Sequence, residues 1–249
     1  MQFVIKRDIL LKSLNFVQGV VEKKNTLPIL SNVLLQLKDN KLSIVATDLD
    51  IIFYDEIEDV KIFNEGSTTT SAAILFDILR KISSNSEINF DLKTENKLSL
   101  KSENSDFNLL CLPTDNFPTF TDEFSGNEFS ISNKNFLKIL DKTKISISND
   151  DTRHYLNGVF FHLTEAQGRS FLTGVATDSH RLSSSSIEIN NTNDFNSFIL
   201  PKKTVYQLCL LLSENSEELK MQISDNKIKF SLGKIKLISK VIDGKFPDY

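Results

Sequence analysis

The sequence lacks any apolar run near the roughly 18 residues that a membrane-crossing helix requires, so no span is read from its 249 residues. Lys6, Arg7 and Asp8 interrupt the amino terminus before a signal-peptide core can form. Export is therefore not expected, and the cytoplasm is the default compartment. Cysteine is scarce. Cys111 and Cys209 are the only two, each inside an apolar run and without the paired spacing of a zinc site. They read as buried thiols in a reducing compartment, not as a disulfide or metal ligands. Positive charge is not in excess either, since the formal net charge is −4, whereas proteins that bind phosphate polymers usually have a basic total. Distribution, however, decides what a polyanion meets.

What the sequence does have is a long internal echo. Val45-Ala46-Thr47-Asp48 recurs as Val175-Ala176-Thr177-Asp178, and the segment Ile29 to Leu37 falls opposite Tyr155 to Leu163, each reading as a strand entered through Asn. Ile74 to Ile82 matches Thr204 to Leu212, Asn96-Lys97-Leu98 matches Asn226-Lys227-Ile228, and Asn116-Phe117-Pro118 matches Lys245-Phe246-Pro247. The landmarks keep their order at an offset of 126 to 130 residues. That period is far longer than a solenoid or propeller repeat and fits tandem domains, each long enough to bury its own core. Asp122 to Asn127, with Ser125-Gly126 and few apolar residues, reads as the linker. Domains at 1–125 and 126–249 are expected.

Each domain reads as α+β, with two helices among strands. Leu10, Leu14, Val17 and Val21 form one amphipathic stripe, and Ile74, Ile78 and Ile82, with Leu75 and Leu79 beside them, form a second. Phe136 and Leu140, flanked by Leu137 and Ile139, mark a third helix capped by Ser132 or Asn133. Pro201 precedes a fourth through Val205, Leu208 and Leu212. Alternation at period two predicts strands at 219–223, 227–232 and 234–237, and around Ile88, Phe90, Leu98 and Leu100. Asp39-Asn40, Gly66 and Asp225-Asn226 read as turns. Taken as 7–24, 72–82, 132–146 and 201–214, the helices hold twelve Lys or Arg against five acids, leaving the rest of the chain net negative by eleven. Exposed helix faces favour Lys in any protein. A duplicated domain with basic helices in both copies also fits one continuous positive surface.

Six segments in order resemble a known family. They are Phe3 to Leu11, Thr26-Leu27-Pro28-Ile29-Leu30-Ser31-Asn32, Ala46-Thr47-Asp48-Leu49, Arg153-His154-Tyr155-Leu156-Asn157-Gly158, Val175 to Leu182 and Asp243-Gly244-Lys245-Phe246-Pro247-Asp248-Tyr249. Together they resemble the bacterial DNA polymerase III beta subunits, the sliding clamps, along the whole chain. The resemblance implies a DNA-clamp fold with outer antiparallel sheets and inner basic helices. It implies a non-enzymatic processivity factor that encircles duplex DNA and tethers the replicative polymerase of the holoenzyme, without cofactor or metal. The family's ring is a homodimer of three-domain protomers, and its third domain has no counterpart in this sequence.

By the same resemblance Lys24, His154 and Tyr155 are expected to touch DNA, while Ala73 and Asp150 stand where relatives place DNA-linked residues and are not expected to help. Leu156, Thr177, His180, Arg181, Leu182 and Pro247 match one wall of a pocket for short linear peptides of polymerases, the clamp loader and other partners. The residues alone leave other readings open: Tyr155 opening a strand from the core, and Leu156 and Leu182 as core packing. Lysine suits a tether that slides, because its phosphate contacts are independent of base sequence and weaken with salt.

Two alternative functions can be weighed on the residues. A generic interaction scaffold of duplicated domains explains the repeat without DNA. A hydrolase would use Asp178, Ser179 and His180, but three consecutive side chains do not readily form the serial bonds of a triad, and no Gly-x-Ser-x-Gly elbow surrounds the serine. The first copy has Asp48-Leu49-Asp50 there. Gly233-Lys234-Ile235 lacks the pattern of a phosphate loop, so ATP binding is not indicated.

Overall fold

The computed structural model describes residues 1–22, 27–103, 105–118, 124, 128–189, 195–224 and 226–249. The chain forms two compact units, Met1–Thr121 and Asp122–Tyr249. Most of the linker expected at 122–127, and Asp225 of one expected turn, lie outside the described residues.

The first unit runs β1 (Gln2–Lys6), α1 (Arg7–Val17), β2 (Asn32–Lys38), β3 (Lys41–Thr47), β4 (Ile51–Ile57), β5 (Lys61–Asn64), β6 (Gly66–Ser71), α2 (Ala72–Lys81), β7 (Glu87–Thr94), β8 (Lys97–Ser102) and β9 (Ser105–Leu112). Every pairing is antiparallel, in the order β4-β3-β2-β6-β9-β8-β7-β1-β5. Asp39 and Asn40, at φ 52° and 59°, make the two-residue turn between β2 and β3, a left-handed geometry that Asp and Asn tolerate. Phe3 of β1 stacks on Phe90 of β7 at 4.6 Å, and Phe16 of α1 meets Phe53 of β4 at 6.0 Å.

The second unit runs β10 (Glu128–Ile131), α3 (Asn133–Thr143), β11 (Gly158–Ala166), β12 (Arg169–Thr177), β13 (Leu182–Glu188), β14 (Phe198–Pro201), α4 (Lys202–Glu214), β15 (Leu219–Ile223), β16 (Lys227–Leu232) and β17 (Ile235–Lys240). Its strands pair as β13-β12-β11-β14 and β10-β15-β16-β17, with a single bridge from Ile199 to Ile242. Phe136 of α3 ties the two sets together, lying 5.3 Å from Phe161 of β11 and 6.0 Å from Phe230 of β16.

Inside each unit the order strand, helix, three strands occurs twice. It runs β1-α1-β2-β3-β4 and β6-α2-β7-β8-β9, then β10-α3-β11-β12-β13 and β14-α4-β15-β16-β17, with β5 as an addition. This shorter repeat lies beneath the long one and leaves no echo that the residues advertise.

The helices differ from their expected ranges for local reasons. α1 ends at Val17 instead of 24, because the chain tightens at Gly19: the amides of Gly19 and Val20 bond three residues back, to Phe16 and Val17. Val20 is thereby fully buried, and Val21 is only half-buried. In α2 the core row is Ala72, Leu75 and Leu79, while Ile74 is 53% exposed. The Ser71 hydroxyl accepts the Ile74 amide there and caps the helix, which fixes its entry from β6. Ser132 and Asn133 do not cap α3 through their side chains; the Asn133 amide group instead donates to the Asn215 carbonyl at 2.5 Å. Pro201 sits just ahead of α4, over a core row of Val205, Leu208, Leu211 and Leu212.

Neither Ile29 nor Tyr155 opens a strand. Pro28–Ser31 and Asp151–Leu156 form 3-10 turns, and the strands begin at Asn32 and Gly158. Cys111 is buried, but Cys209 is half-buried beside Lys144, with burial pushing its thiol up to about 11. Among the described residues no helix is long and apolar enough to cross a membrane.

Candidate nucleic-acid and peptide interface

The echoed Val-Ala-Thr-Asp stretch is a hairpin turn built the same way twice. In the first unit Thr47 Oγ1 donates to the Ile51 carbonyl at 2.8 Å, and Asp48 Oδ1 accepts the amides of Asp50 and Ile51 at 2.9 and 2.7 Å. In the second, Thr177 Oγ1 donates to the Arg181 carbonyl at 2.7 Å, and Asp178 Oδ1 accepts the amides of His180 and Arg181, both at 3.0 Å. Leu49 and Ser179 occupy the same left-handed position, at φ 81° and 76°. The backbone amides of His180 and Arg181 hold the Asp178 carboxyl below its ordinary value. Its carboxylate is a turn brace, and Asp178, Ser179 and His180 are not wired as a triad: Asp178 accepts from the backbone amides of His180 and Arg181, and the Ser179 hydroxyl accepts from Arg153.

What the two turns present differs. Asp50 and Leu49 are exposed in the first, His180 and Arg181 in the second. Leu182, which opens β13, is 46% exposed and is not core. Leu156 is 2% exposed and packs with Val175, Ile199 and Phe246, so its bulk belongs to the core. Pro247 is exposed, in a groove lined by Phe160, His162 and the residues from Gly244 to Tyr249. Phe246 stacks on Phe160 at 5.0 Å, and His162 Nε2 lies 2.7 Å from the Tyr249 hydroxyl, which fixes this segment against β11.

The 3-10 segment Asp151–Leu156 stands between the turn and the Gly244–Tyr249 segment. His154 is exposed and donates from Nε2 to the Asp243 carbonyl at 3.1 Å. Tyr155 is half-buried against Leu156 and its neighbours. Gly244, at φ 147°, is needed where the backbone passes Tyr155: an added Cβ would lie 3.1 Å from the Tyr155 Cβ. Asp150 is engaged locally, accepting the amide and hydroxyl of Thr152 at 3.0 and 2.6 Å and Arg153 Nε at 2.9 Å. Those bonds, led by the Thr152 hydroxyl, hold its carboxyl below the ordinary value. Arg153, which organises this loop, was not singled out from the sequence. Its side chain gives no periodic signal, and its bond to Ser179 spans 26 residues.

Lys24, the remaining candidate DNA contact, lies outside the described residues, as does Lys23. On α3 the lysines Lys134, Lys138 and Lys142 recur every four residues on the exposed face, opposite Phe136, Ile139 and Leu140. Lys12, Arg80 and Lys81 are exposed on α1 and α2. Two other cations are occupied: Arg7 donates to the Leu79 and Arg80 carbonyls at 2.7 and 3.2 Å, capping α2, and Lys144 pairs with Asp141 at 2.6 Å.

Comparison with known proteins agrees along the chain. Family models for the DNA polymerase III beta subunit match twice, the N-terminal domain at residues 1–121 and the central domain at 130–248. The beta sliding clamp of Caulobacter vibrioides (strain NA1000 / CB15N) is 36% identical over 251 residues, covering 100% of this chain and 67% of its own length. That of Escherichia coli (strain K12) is 37% identical over 249 residues with the same coverage. The crystal structure of the C. crescentus beta sliding clamp with bound PEG has a TM-score of 0.95 at 36% identity, covering 100% of this chain and 66% of that one. The chain thus spans about two thirds of the length of these relatives. It belongs to the DNA polymerase III beta subunit family, the bacterial sliding clamps, and its function is that of a sliding clamp on DNA, a processivity factor and not an enzyme.

Proposed function

We propose that the chain rides on double-stranded DNA through its cationic helix faces and a few loop residues, and that it holds partners through a peptide site in the second unit. The observation that carries this is the row Lys134, Lys138 and Lys142 on the exposed face of an otherwise apolar-backed helix. Flexible ammonium groups at that spacing attract phosphates without fixing a register, and nothing in the row reads base edges. Lys24, His154 and Tyr155 add contacts to the DNA backbone.

Thr177, His180, Arg181, Leu182 and Pro247 form the wall on which a short linear peptide of the replicative polymerase, the clamp loader or another partner docks, with Leu156 backing it from the core. A few apolar anchors dominate such binding. A homodimeric ring is proposed for the three-domain form, working in the cytoplasm.

Retention on DNA tests the topology. Protein placed on DNA by a clamp loader should stay on nicked circular duplex and run off linear duplex at moderate salt. Equal escape from both would reject the ring.

A further inference from the structure

The two copies of the hairpin turn share the same Thr and Asp bonds to backbone groups, so what differs around them points to what the second unit adds. In the first unit Leu49 holds the left-handed position, and Leu27, the counterpart of Arg153 in the repeat, is apolar and 51% exposed. In the second these positions are Ser179 and Arg153, and they are joined: Arg153 Nη1 donates to Ser179 Oγ at 2.6 Å while its Nε donates to Asp150 Oδ2 at 2.9 Å. The backbone bends to allow it. Arg153 sits at φ −113°, ψ 60°, outside helical geometry, within the 3-10 segment Asp151–Leu156. The next residue, His154, is held from the other side by the Asp243 carbonyl.

We infer that Arg153 is a positioning residue that couples the DNA-facing pair His154 and Tyr155 to the partner-facing turn Thr177–Leu182. The inference rests on the proposed roles of those two sites and adds their mutual regulation. A partner carboxylate or backbone carbonyl that draws the guanidinium off Ser179 releases the bend and with it the placement of His154 and Tyr155. By linkage, DNA on that pair changes the affinity of the turn for its partner by the same factor.

Ser179→Ala removes the acceptor and leaves the bonds of Thr177 and Asp178 intact, while Arg153→Lys keeps the charge and loses the fork. Both are compared with the unaltered chain for association with a short random-sequence duplex at low salt, together with amide exchange at Arg153 and Asn157, whose N–H groups close the 3-10 turns. Ser179→Ala should weaken duplex association about fivefold, the low end for coupled sites, with an unchanged salt slope. Exchange at Arg153 and Asn157 should quicken while β12 and β13 stay protected. The double variant should behave like Arg153→Lys alone. Unchanged affinity or exchange in Ser179→Ala overturns the coupling and leaves the DNA reading standing. If the unaltered chain shows no salt-dependent association, the DNA reading itself is wrong and the coupling goes with it.

Discussion

Asp55 shows how a single buried charge leaves a measurable trace. It lies on β4 with 9% of its surface exposed. Burial pushes its carboxyl above the ordinary value, and neighbouring Ser13, the Glu56 amide and Lys12 offset this only in part. A carboxyl whose folded value exceeds its unfolded one binds its proton more tightly in the native state. Its contribution to stability is therefore present at low pH and is lost as pH rises from about 4 through the folded value. Asp55→Asn should flatten that part of the stability profile, which urea unfolding at several pH values would reveal; an unaltered pH dependence would show that Asp55 is not its source. Asp55 shares the inward face of β4 with Ile51, Phe53 and Ile57, the face on which α1 packs.

At the scale of elements, the second unit depends on the close approach of β11 and β14. Gly158 pairs with Pro201 there, and a Cβ on Gly158 would lie 2.2 Å from the Leu200 carbonyl oxygen. The obstacle is backbone and cannot rotate away. Gly158→Ala should cost about 1–3 kcal/mol or more, seen as a lower urea midpoint; a variant as stable as the parent would mean the strands can part at no cost.

Element identity was largely legible in the residues, since period two marks β7, β8, β15 and β16 and the apolar stripes mark all four helices. Ends and facing were less so. Which stripe of α2 faces inward is set by the strand before it, since Ile74 and Leu75 are equally apolar and only one meets the core. The 3-10 turns at Pro28 and Asp151 have no apolar period to announce them. Of the candidate site, the turn at Thr177 was visible because its side chains repeat in sequence. The Arg153 link was not, because it joins segments that are neighbours only after folding.

For the whole molecule, the net charge of −4 conceals a division that the fold makes physical. Lys12, Arg80, Lys81, Lys134, Lys138 and Lys142 lie exposed on α1, α2 and α3, and the chain outside the helices carries a surplus of acids. Association with duplex should therefore weaken steeply as salt rises, despite the acidic total. Reversing one charge, Lys24→Glu, should lower duplex affinity several-fold and shift the salt slope by about one or two ions, while peptide binding at the second unit is unchanged. Duplex affinity that does not move at low salt would remove Lys24 from the interface.

The paired hairpin turns bear on how such a molecule diversifies. Their bracing bonds all fall within five consecutive residues, Thr47 to Ile51 and Thr177 to Arg181, so the turn needs no help from what it displays. The fourth position is then free to change by mutation without loss of shape, and the third among residues that tolerate its left-handed backbone. In one copy they are Leu49 and Asp50, in the other Ser179 and His180. Duplication thus supplied two identical sockets, and selection could refit one for recognition while the other went on closing a hairpin.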